Sequence, residues 1–435
     1  MTTPNAISTN NHSVYQETLC DFYQATRQQS ERLIAHLSDE DCLLQSMPDA
    51  SPAKWHLAHT SWFFESFILL PRGTKAANPA FQVLFNSYYN GIGEQFSRPQ
   101  RGILSRPSLQ EVKEYRSYID SEMQNLLTHQ TNDIAIKACT ELGIHHEKQH
   151  QELLLMDIKH AFSENPLYPS YSDGQMTSTV NQSAPSLQWM EFTRGIYPIG
   201  AKECEFAYDN ERPYHQQLVY DFKIATRPST NGEFLEFILA DGYTQAEHWL
   251  SDGWAQLKES HANMPLYWKL IDNEWYEFTL HGLQKLNLAA PVCHINYYEA
   301  CAFASWSGKR LPSEFEWEVA SRQCTDLAHY YTHNQLHPQA FCSPFSQTVA
   351  NDSQLKYMFG TCWEWTSSAY APYPGFKPLP GAVGEYNGKF MSNQYVLRGG
   401  SCLSPHLHIR ATYRNFFYAN QAWMMSGIRL AEDLK

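Results

Sequence analysis

The segment ELGIHHEKQHQELLL, residues 141–155, decides how the first part of this 435-residue chain folds. Within and around it, apolar residues and two histidines recur at intervals of four, close to the 3.6-residue period of an α-helix. This row comprises Ile134, Ala138, Leu142, His146, His150, Leu154 and Ile158. His146 and His150 therefore project from one side of the same helix, one turn apart, and this spacing suits two ligands of one metal ion.

A second predicted helix supplies a third histidine. Ser51 and Pro52 are typical of a helix start, with serine at the N-cap and proline at the first helical position. The sequence AKWHLAHTSWFFESFILL follows at 53–70 and contains His56 and His59, which we expect not to face inward together. Because aromatic residues lie four positions before and after His59, we predict that His59 joins the metal site.

The three histidines suggest a catalytic rather than a structural metal. Neutral imidazoles suit a divalent first-row metal ion, and three of them leave coordination positions open for substrates. HEKQH at 146–150 also matches the HExxH pattern of zinc proteases, in which the glutamate activates a zinc-bound water. The chain after His150 offers no clear third ligand for a protease, so a zinc hydrolase is the alternative interpretation.

We predict an α+β protein with a helical domain followed by a mixed domain. Four long helical patterns with one long internal connection are typical of a four-helix bundle, which we assign to residues 1–164. The helical patterns cover 12–37, 53–70, 108–128 and 133–162, and the connection covers 71–107. A Ser-, Tyr-, Pro- and Gln-rich stretch at 165–186 is interpreted as a linker. The mixed domain, 187–435, has two helix-like islands near 231–240 and 297–306.

Composition excludes several classes of function. The net charge is −13 and the pI is about 5.8, without the basic stripe expected of a nucleic-acid-binding protein. We expect no membrane span, because the apolar stretches are far shorter than about 20 residues, and no signal peptide in the polar N-terminal sequence. The ten cysteines are scattered without a CxxC pair, as in a cytoplasmic protein with reduced thiols. The oligomeric state stays open.

Several motifs resemble a known two-domain family. His59 in SPAKWHLAH, together with HHEKQHQELLL, is similar to the DinB-like iron domain of the sulfoxide synthases of ergothioneine biosynthesis. The mixed domain resembles the formylglycine-generating-enzyme type, which is related to C-type lectin domains. The motifs that carry this resemblance are YDNERPYH (208–215), INYYEACAFASWSGKRLPSEFEWEVASR (295–322), CWEWTSSAY (362–370), LRGGSC (397–402) and SGIRLA (426–431).

The resemblance implies a non-haem iron enzyme. Such enzymes use Fe(II) and O2 to join the sulfur of a thiol to C2 of the imidazole of hercynine (N-alpha-trimethylhistidine), and the product is a sulfoxide. The resemblance assigns the iron to His59, His146 and His150, in an active site between the two domains. Binding thiol, imidazole and O2 side by side makes the reaction largely a matter of proximity and orientation.

The long connection of the bundle carries two further candidate groups. Residues 86–90, NSYYN, resemble the paired-tyrosine segment of the branch that uses free cysteine. A phenol with a pKa near 10 is protonated at neutral pH, so Tyr88 or Tyr89 is expected to supply a proton or hydrogen atom. Arg98 and Arg101, three residues apart, can clamp a carboxylate, and the resemblance implies that this stretch binds the thiol substrate.

The C-terminal part supplies the remaining candidates. Asn415, followed by Phe416 and Phe417, falls where the family contacts hercynine, and Gln149 matches a second contact. Some relatives that use gamma-glutamylcysteine have an aspartate at the position of Phe417. The missing carboxylate favours free cysteine as the sulfur donor.

The sequence also weighs against other activities. The copper-binding cysteines of formylglycine-generating enzymes would fall at Ser404 and Ile409, and Cys402 alone cannot form a thiolate pair. The remaining alternatives are a selenium donor, a histidine acceptor as in ovothiol synthesis, a zinc-dependent hydrolase or thiol transferase on a DinB-like bundle, and a ligand-binding protein with a lectin-like pocket.

Overall fold

The computed structural model describes residues 18–129, 133–173, 184–324, 336–341 and 355–434. In these ranges a helical bundle is followed by a domain of several small sheets and short helices, so the predicted α+β class is confirmed. One continuous set of buried apolar side chains runs through both parts. The two domains therefore share a hydrophobic core.

The bundle contains the four long helices that the sequence predicts. Helices α1, α2, α4 and α5 are long, and α3 is a single turn in the long connection; their bounds are Leu19–Ile34 (α1), Ala53–Phe64 (α2), Phe81–Leu84 (α3), Leu109–His129 (α4) and Ile134–Ser163 (α5). A π-helical stretch, Glu65–Leu69, continues α2. The part of the first predicted helix that precedes residue 18 lies outside the described residues.

The predicted start of α2 is wrong by one residue. Pro52 is the N-cap, and no side chain caps the helix. Ser51 has a different role, because its hydroxyl accepts a hydrogen bond from Arg101 at 2.9 Å and its amide donates to Asp157 at 2.8 Å. The start of α5 follows the usual rule, since the Asp133 carboxylate accepts from two amides of the first turn.

Helix α2 lies at the centre of the bundle and packs against α1, α4 and α5. All of its residues are buried, His56 and His59 among them. Close approach to α5 depends on Gly143, since a Cβ atom there would lie 2.5 Å from a ring carbon of Phe64. This close packing brings the histidines of the two helices together.

The second domain contains four small sheets and four helices among the described residues. The sheets have the orders β1-β4-β12, β10-β9-β8-β11, β2-β3 and β5-β6-β7, and most pairings are antiparallel. The strands are Trp189–Phe192 (β1), Gly195–Ile199 (β2), His215–Val219 (β3), Phe222–Ala225 (β4), Trp268–Ile271 (β5), Glu274–Thr279 (β6), Gly282–Lys285 (β7), Trp363–Ala369 (β8), Gln394–Arg398 (β9), Asn415–Tyr418 (β10), Ser426–Gly427 (β11) and Ala431–Asp433 (β12). The helices are Asn231–Leu239 (α6), Ser251–Ser260 (α7), Tyr297–Trp306 (α8) and Glu314–Ser321 (α9). Both predicted helical islands are confirmed, whereas α7 and α9 were not predicted.

Glu152 of α5 joins the two domains. Its buried carboxylate accepts hydrogen bonds from the indole of Trp363 at 2.8 Å, from Ser401 at 2.5 Å and from Ser404 at 2.7 Å. A buried charge with three donors is well satisfied, and such a network fixes the relative position of its elements. The four-stranded sheet is therefore held directly against the helix that carries His146 and His150.

The described part of the predicted linker also packs closely. Tyr171 is buried, its hydroxyl donates to the carbonyl of Leu33 in α1, and its amide donates to the carbonyl of Leu280 beside β6. Residues 174–183 lie outside the described residues, and the boundaries at 164 and 186 remain a prediction. Among the described helices, none has the length and apolar character needed to cross a membrane.

Candidate metal centre and interdomain cavity

His59 of α2 and His146 and His150 of α5 converge in the bundle. Their potential ligand atoms all lie within 4.8 Å of one another. The Nε2 atoms of His59 and His146 are 3.2 Å apart. Two ligands at right angles on a metal with bond lengths of about 2.1 Å would have their nitrogens about 3 Å apart. The donor set and its spacing therefore fit a transition-metal ion.

Hydrogen bonds to the other ring nitrogens orient two of these ligands. Nδ1 of His59 lies 2.6 Å from the carbonyl of Phe85, so Nδ1 must carry the hydrogen and Nε2 keeps its lone pair. Nδ1 of His150 lies 2.8 Å from Nδ1 of His56, whose Nε2 lies 3.1 Å from the carboxylate of Asp157. If His56 donates to Asp157, it accepts from His150, and Nε2 of His150 also keeps its lone pair. Such partners fix the tautomer and orientation of metal-binding histidines.

Burial keeps the three imidazoles neutral. It lowers the pKa of His59 and of His150 well below the ordinary value, and the neighbouring histidines lower both further. It lowers the pKa of His146 to about 3. Only the neutral ring has a free lone pair for a metal ion. The indole of Trp55 stacks on His59 at 4.6 Å and restrains the ring from one side.

Glu147 cannot act as the base of a zinc protease. It points into the bundle core, where its carboxylate accepts from Arg27 at 2.9 Å, Arg116 at 2.5 Å and Ser30 at 2.5 Å. Burial raises its pKa, but the two arginines outweigh burial and lower it to about 2. The HExxH pattern at 146–150 therefore does not indicate a protease site, because its glutamate stabilises the core of the bundle.

A cavity of about 430 Å³ lies between the two domains beside the histidines. His150 contributes to its wall, whereas His59, His146 and Tyr89 are not among the lining residues. Most of the predicted substrate-binding and catalytic residues meet here, namely Tyr88, Arg98, Arg101, Gln149, Asn415, Phe416 and Phe417. Residues more than 300 positions apart in the sequence thus form one pocket.

The structure distinguishes the two tyrosines. Tyr88 lines the cavity and packs edge-on against Phe390 at 5.2 Å, whereas Tyr89 is fully buried. Their hydroxyls are 3.5 Å apart, so a proton given up by one could be replaced from the other. Burial raises the pKa of Tyr88 and of Tyr89, and each phenol is therefore protonated at neutral pH.

The two arginines also differ. Arg101 is buried, donates to Ser51 at 2.9 Å and Ser87 at 3.2 Å, and lies 3.4 Å above the ring of Trp55. Its Nε has no partner, and no ion pair with a described carboxylate is formed. A buried guanidinium without a counterion is costly, and an anionic ligand would relieve that cost. Arg98 is exposed and donates to the carbonyl of Asp49.

Strand β10 and Gln149 form the opposite wall. Asn415 begins β10, and its side-chain oxygen accepts from the amide of Phe416 at 2.9 Å. Phe416 stacks on Tyr370 at 4.1 Å, and Phe417 packs edge-on against Trp423 at 5.4 Å. The amide of Gln149 donates to the hydroxyl of Tyr413 at 2.5 Å. The wall is thus aromatic, with amide groups at its edge.

Three residues near the site were missed. His56 was expected to face away from the site, but α2 is buried on all sides and His56 supports His150 instead. Asp157 lies seven residues after His150 on the same side of α5, a spacing that could have revealed it. Tyr386 lines the cavity, and its ring lies 5.6 Å from that of His146.

The structure gives other roles to the two positions at which the copper-binding cysteines would fall. Ser404 donates to Glu152, and Ile409 lies against Gly400. The one nearby thiol that follows the Arg-Gly-Gly-Ser sequence, Cys402, is buried.

Comparisons with known proteins agree with this two-domain arrangement. The sequence matches the sulfatase-modifying factor enzyme 1-like domain at residues 191–434 and the DinB superfamily at 23–154. It is 28% identical to a hercynine oxygenase of Mycobacterium tuberculosis over 424 residues, which cover 92% of this chain and 95% of that protein. It is 27% identical to a hercynine oxygenase of Mycolicibacterium smegmatis over 450 residues, with 97% and 100% covered. An ergothioneine biosynthesis protein 1 of Schizosaccharomyces pombe is 30% identical over 243 residues, or 52% of this chain and 28% of that protein. The first domain match spans more than half of the chain, and the two bacterial relatives align along nearly all of it. This chain therefore belongs to the sulfatase-modifying factor enzyme 1-like family and, within it, to the oxygenase enzymes known as sulfoxide synthases of ergothioneine biosynthesis.

Proposed function

We propose that this protein is an Fe(II)- and O2-dependent enzyme that joins the sulfur of free cysteine to C2 of the imidazole of hercynine. The observation that carries the proposal is a three-histidine centre beside a cavity that contains a buried arginine without a counterion. One molecule of O2 balances the reaction, since the C–H and S–H hydrogens leave as water with one oxygen atom and the other oxygen atom becomes the sulfoxide oxygen.

His59, His146 and His150 would hold the iron. When bound, ferrous iron supplies the electrons that activate O2 and attracts the soft thiolate of the substrate. The protein keeps the three imidazoles neutral through burial and orients two of them through Phe85 and His56. Three histidines leave coordination positions free, which agrees with a reaction that brings two substrates and O2 together.

Arg101 is proposed to bind the carboxylate of cysteine. Two nitrogens of its guanidinium already donate to Ser51 and Ser87, and the side chain also lines the cavity, where its remaining N–H groups would bind the carboxylate. Trp55 lies against both Arg101 and His59, so a carboxylate held by Arg101 belongs to a small molecule whose thiol lies close to the metal centre. Free cysteine has this short distance between its carboxylate and its thiol.

Hercynine is proposed to occupy the wall formed by Gln149 and β10. The amides of Gln149 and Asn415 can hydrogen-bond to its carboxylate or imidazole. The rings of Phe416 and Phe417 can face its trimethylammonium group, since quaternary ammonium ions bind well to aromatic surfaces. The buried ion pair between Arg414 and Glu314, 2.7 Å from Nε to the carboxylate, fixes the start of β10.

Tyr88 is proposed as the proton donor of the reaction. Tyr88 lines the cavity, and the hydroxyl of Tyr89 lies 3.5 Å from that of Tyr88. Proton delivery would steer the reaction toward the sulfoxide and away from oxidation of cysteine to its sulfinic acid.

Phe417 is proposed to discriminate against gamma-glutamylcysteine. That donor has an additional ammonium group, and its burial beside phenyl rings without an acid is unfavourable, although a cation–π contact offsets part of the cost. One missing charged hydrogen bond of about 1.5–3 kcal/mol corresponds to roughly a tenfold to hundredfold preference for cysteine in kcat/KM.

Product formation with different donors tests this function. The protein should be reconstituted anaerobically with Fe(II) or Zn(II) and supplied with hercynine, O2 and either cysteine, gamma-glutamylcysteine or a selenosugar. We expect the sulfoxide with iron and cysteine and no product with zinc. A clear preference for gamma-glutamylcysteine would refute the donor, and a preference for the selenosugar would assign the protein to selenium chemistry. Acceptance of histidine in place of hercynine would indicate ovothiol-type chemistry.

The cytoplasmic location of the protein also remains a prediction.

A further inference from the structure

A second cluster of metal-binding residue types lies in the other domain, apart from the three-histidine centre. It contains Glu277 of β6, Cys293 of the loop before α8, and His337 of the segment 336–341. One ligand atom from each of these residues lies within 4.8 Å of the others. Each residue is at most 2% exposed, and none lines the interdomain cavity.

Several polar atoms of this cluster make no hydrogen bond of good geometry. Oε1 of Glu277, both ring nitrogens of His337 and Nδ1 of the adjacent His294 make no hydrogen bond although they are fully buried. Oε1 of Glu277 lies 3.2 Å from Nε2 of His337, and although the two atoms lack good hydrogen-bond geometry, the carboxylate raises the pKa of His337 against the effect of burial. Buried polar groups are normally satisfied, so several unsatisfied groups aimed at one point indicate a ligand.

We propose that Glu277, Cys293 and His337 bind a structural divalent metal ion, and that this ion is Zn²⁺. Zinc accepts a mixed set of carboxylate oxygen, thiolate sulfur and imidazole nitrogen, and structural zinc sites are four-coordinate and closed to solvent. Cys362 is a neighbour of Cys293, although its thiol is not among the ligand atoms that lie within 4.8 Å of one another, and we assign it as the fourth ligand of the bound state. The complete burial of the cluster agrees with a closed site.

The charges around the cluster also balance with a divalent cation. Two thiolates and one carboxylate contribute three negative charges, and the metal contributes two positive charges. The amine of Lys159 lies 2.7 Å from Nε2 of His294; burial lowers its pKa, and the neighbouring Cys293 and Glu277 act in the opposite direction. In its ammonium form Lys159 would supply the remaining positive charge, and the metal-bound group as a whole would then be neutral, which avoids the cost of a buried net charge.

A catalytic role for the same residues does not fit. A cysteine, a histidine and a glutamate could form a nucleophilic triad, but a nucleophile must reach its substrate. The Cys293 thiol is enclosed and does not line the interdomain cavity. The metal instead connects three segments that are distant in sequence, and it connects them to α5 through Lys159.

Metal analysis of matched variants tests the site. The wild-type protein and the variants His146→Ala, Cys293→Ser, His337→Ala and Cys324→Ser should be expressed with added zinc, desalted with a weak chelator and analysed by mass spectrometry. Cys324 provides the control, because its thiol is buried but belongs to a different part of the core. We expect one equivalent of zinc in His146→Ala. The other variants keep the three-histidine centre and are compared by difference, so Cys324→Ser should hold one equivalent more than Cys293→Ser and His337→Ala.

A spectroscopic measurement covers the case in which the Cys293 variant does not fold. Cobalt(II) replaces zinc in such sites, and a cobalt–thiolate bond gives a charge-transfer absorption in the near ultraviolet. We expect this absorption in the folded His146→Ala protein, in which the three-histidine centre is disabled. Its absence there would overturn the proposal, as would the same zinc content in Cys293→Ser and in the control.

Discussion

Replacement of Arg101 by methionine tests whether this residue binds the substrate or only stabilises the fold. The guanidinium is buried above Trp55, and burial and the charge of Arg98 lower its pKa, so the protein pays to hold this charge without a carboxylate partner. A charged hydrogen bond to the cysteine carboxylate contributes about 1.5–3 kcal/mol, so its loss should lower kcat/KM for cysteine roughly tenfold to hundredfold. Methionine can fill the space above the indole ring. We therefore expect the free energy of unfolding to fall by no more than about 1 kcal/mol, the net value of an ordinary hydrogen bond.

The assay compares cysteine with cysteamine, which has the thiol but no carboxylate. In the wild-type enzyme cysteine should be much the better donor, and in Arg101→Met that advantage should disappear. Arg98→Met is the matched control, because Arg98 is exposed and already bonded to the backbone of Asp49; its effect should be at most about fivefold. Equal losses of kcat/KM for cysteine and cysteamine in Arg101→Met would refute carboxylate binding and would indicate that the residue has only a structural role.

Three further predictions concern the metal centre and its surroundings. Tyr88→Phe should divert product toward cysteine sulfinic acid, while Tyr89→Phe should retain more sulfoxide synthesis; chromatography of both products checks this, and full sulfoxide formation by Tyr88→Phe would contradict it. His56→Ala should weaken iron binding about 10- to 100-fold by releasing His150, as measured by competition with a chelator, and unchanged affinity would remove the supporting role. In the metal-free protein the unfolded state binds protons below about pH 6.5, whereas buried His146, with its pKa of about 3, does not. Stability should therefore fall as the pH falls, and this histidine should account for about 1.4 kcal/mol at pH 5.5. Urea unfolding of wild type and His146→Phe should differ in this pH dependence, and identical slopes would exclude the effect.

Features that depend on local periodicity are predictable from the sequence. Four-residue spacing along 134–158 already places His146 and His150 together, since helix geometry is the same in any context. The prediction of α8 at residues 297–306 agrees with the structure residue for residue. The choice of His59 as a third ligand was also available from its helix, and the family motifs predicted which residues meet at the cavity.

Features that depend on burial and on contacts between distant segments are visible only in the folded protein. His56 supports His150 because α2 is enclosed on every side, whereas periodicity alone assumes one inner and one outer face. The guanidinium of Arg101 is buried, whereas that of Arg98 reaches solvent. Because both residues are arginines, the sequence cannot reveal this difference. The cluster of Glu277, Cys293 and His337 has no sequence signature, since its members come from three separate segments. Such proximity depends on how the two domains and their shared core pack, and residue spacing along the chain does not encode it.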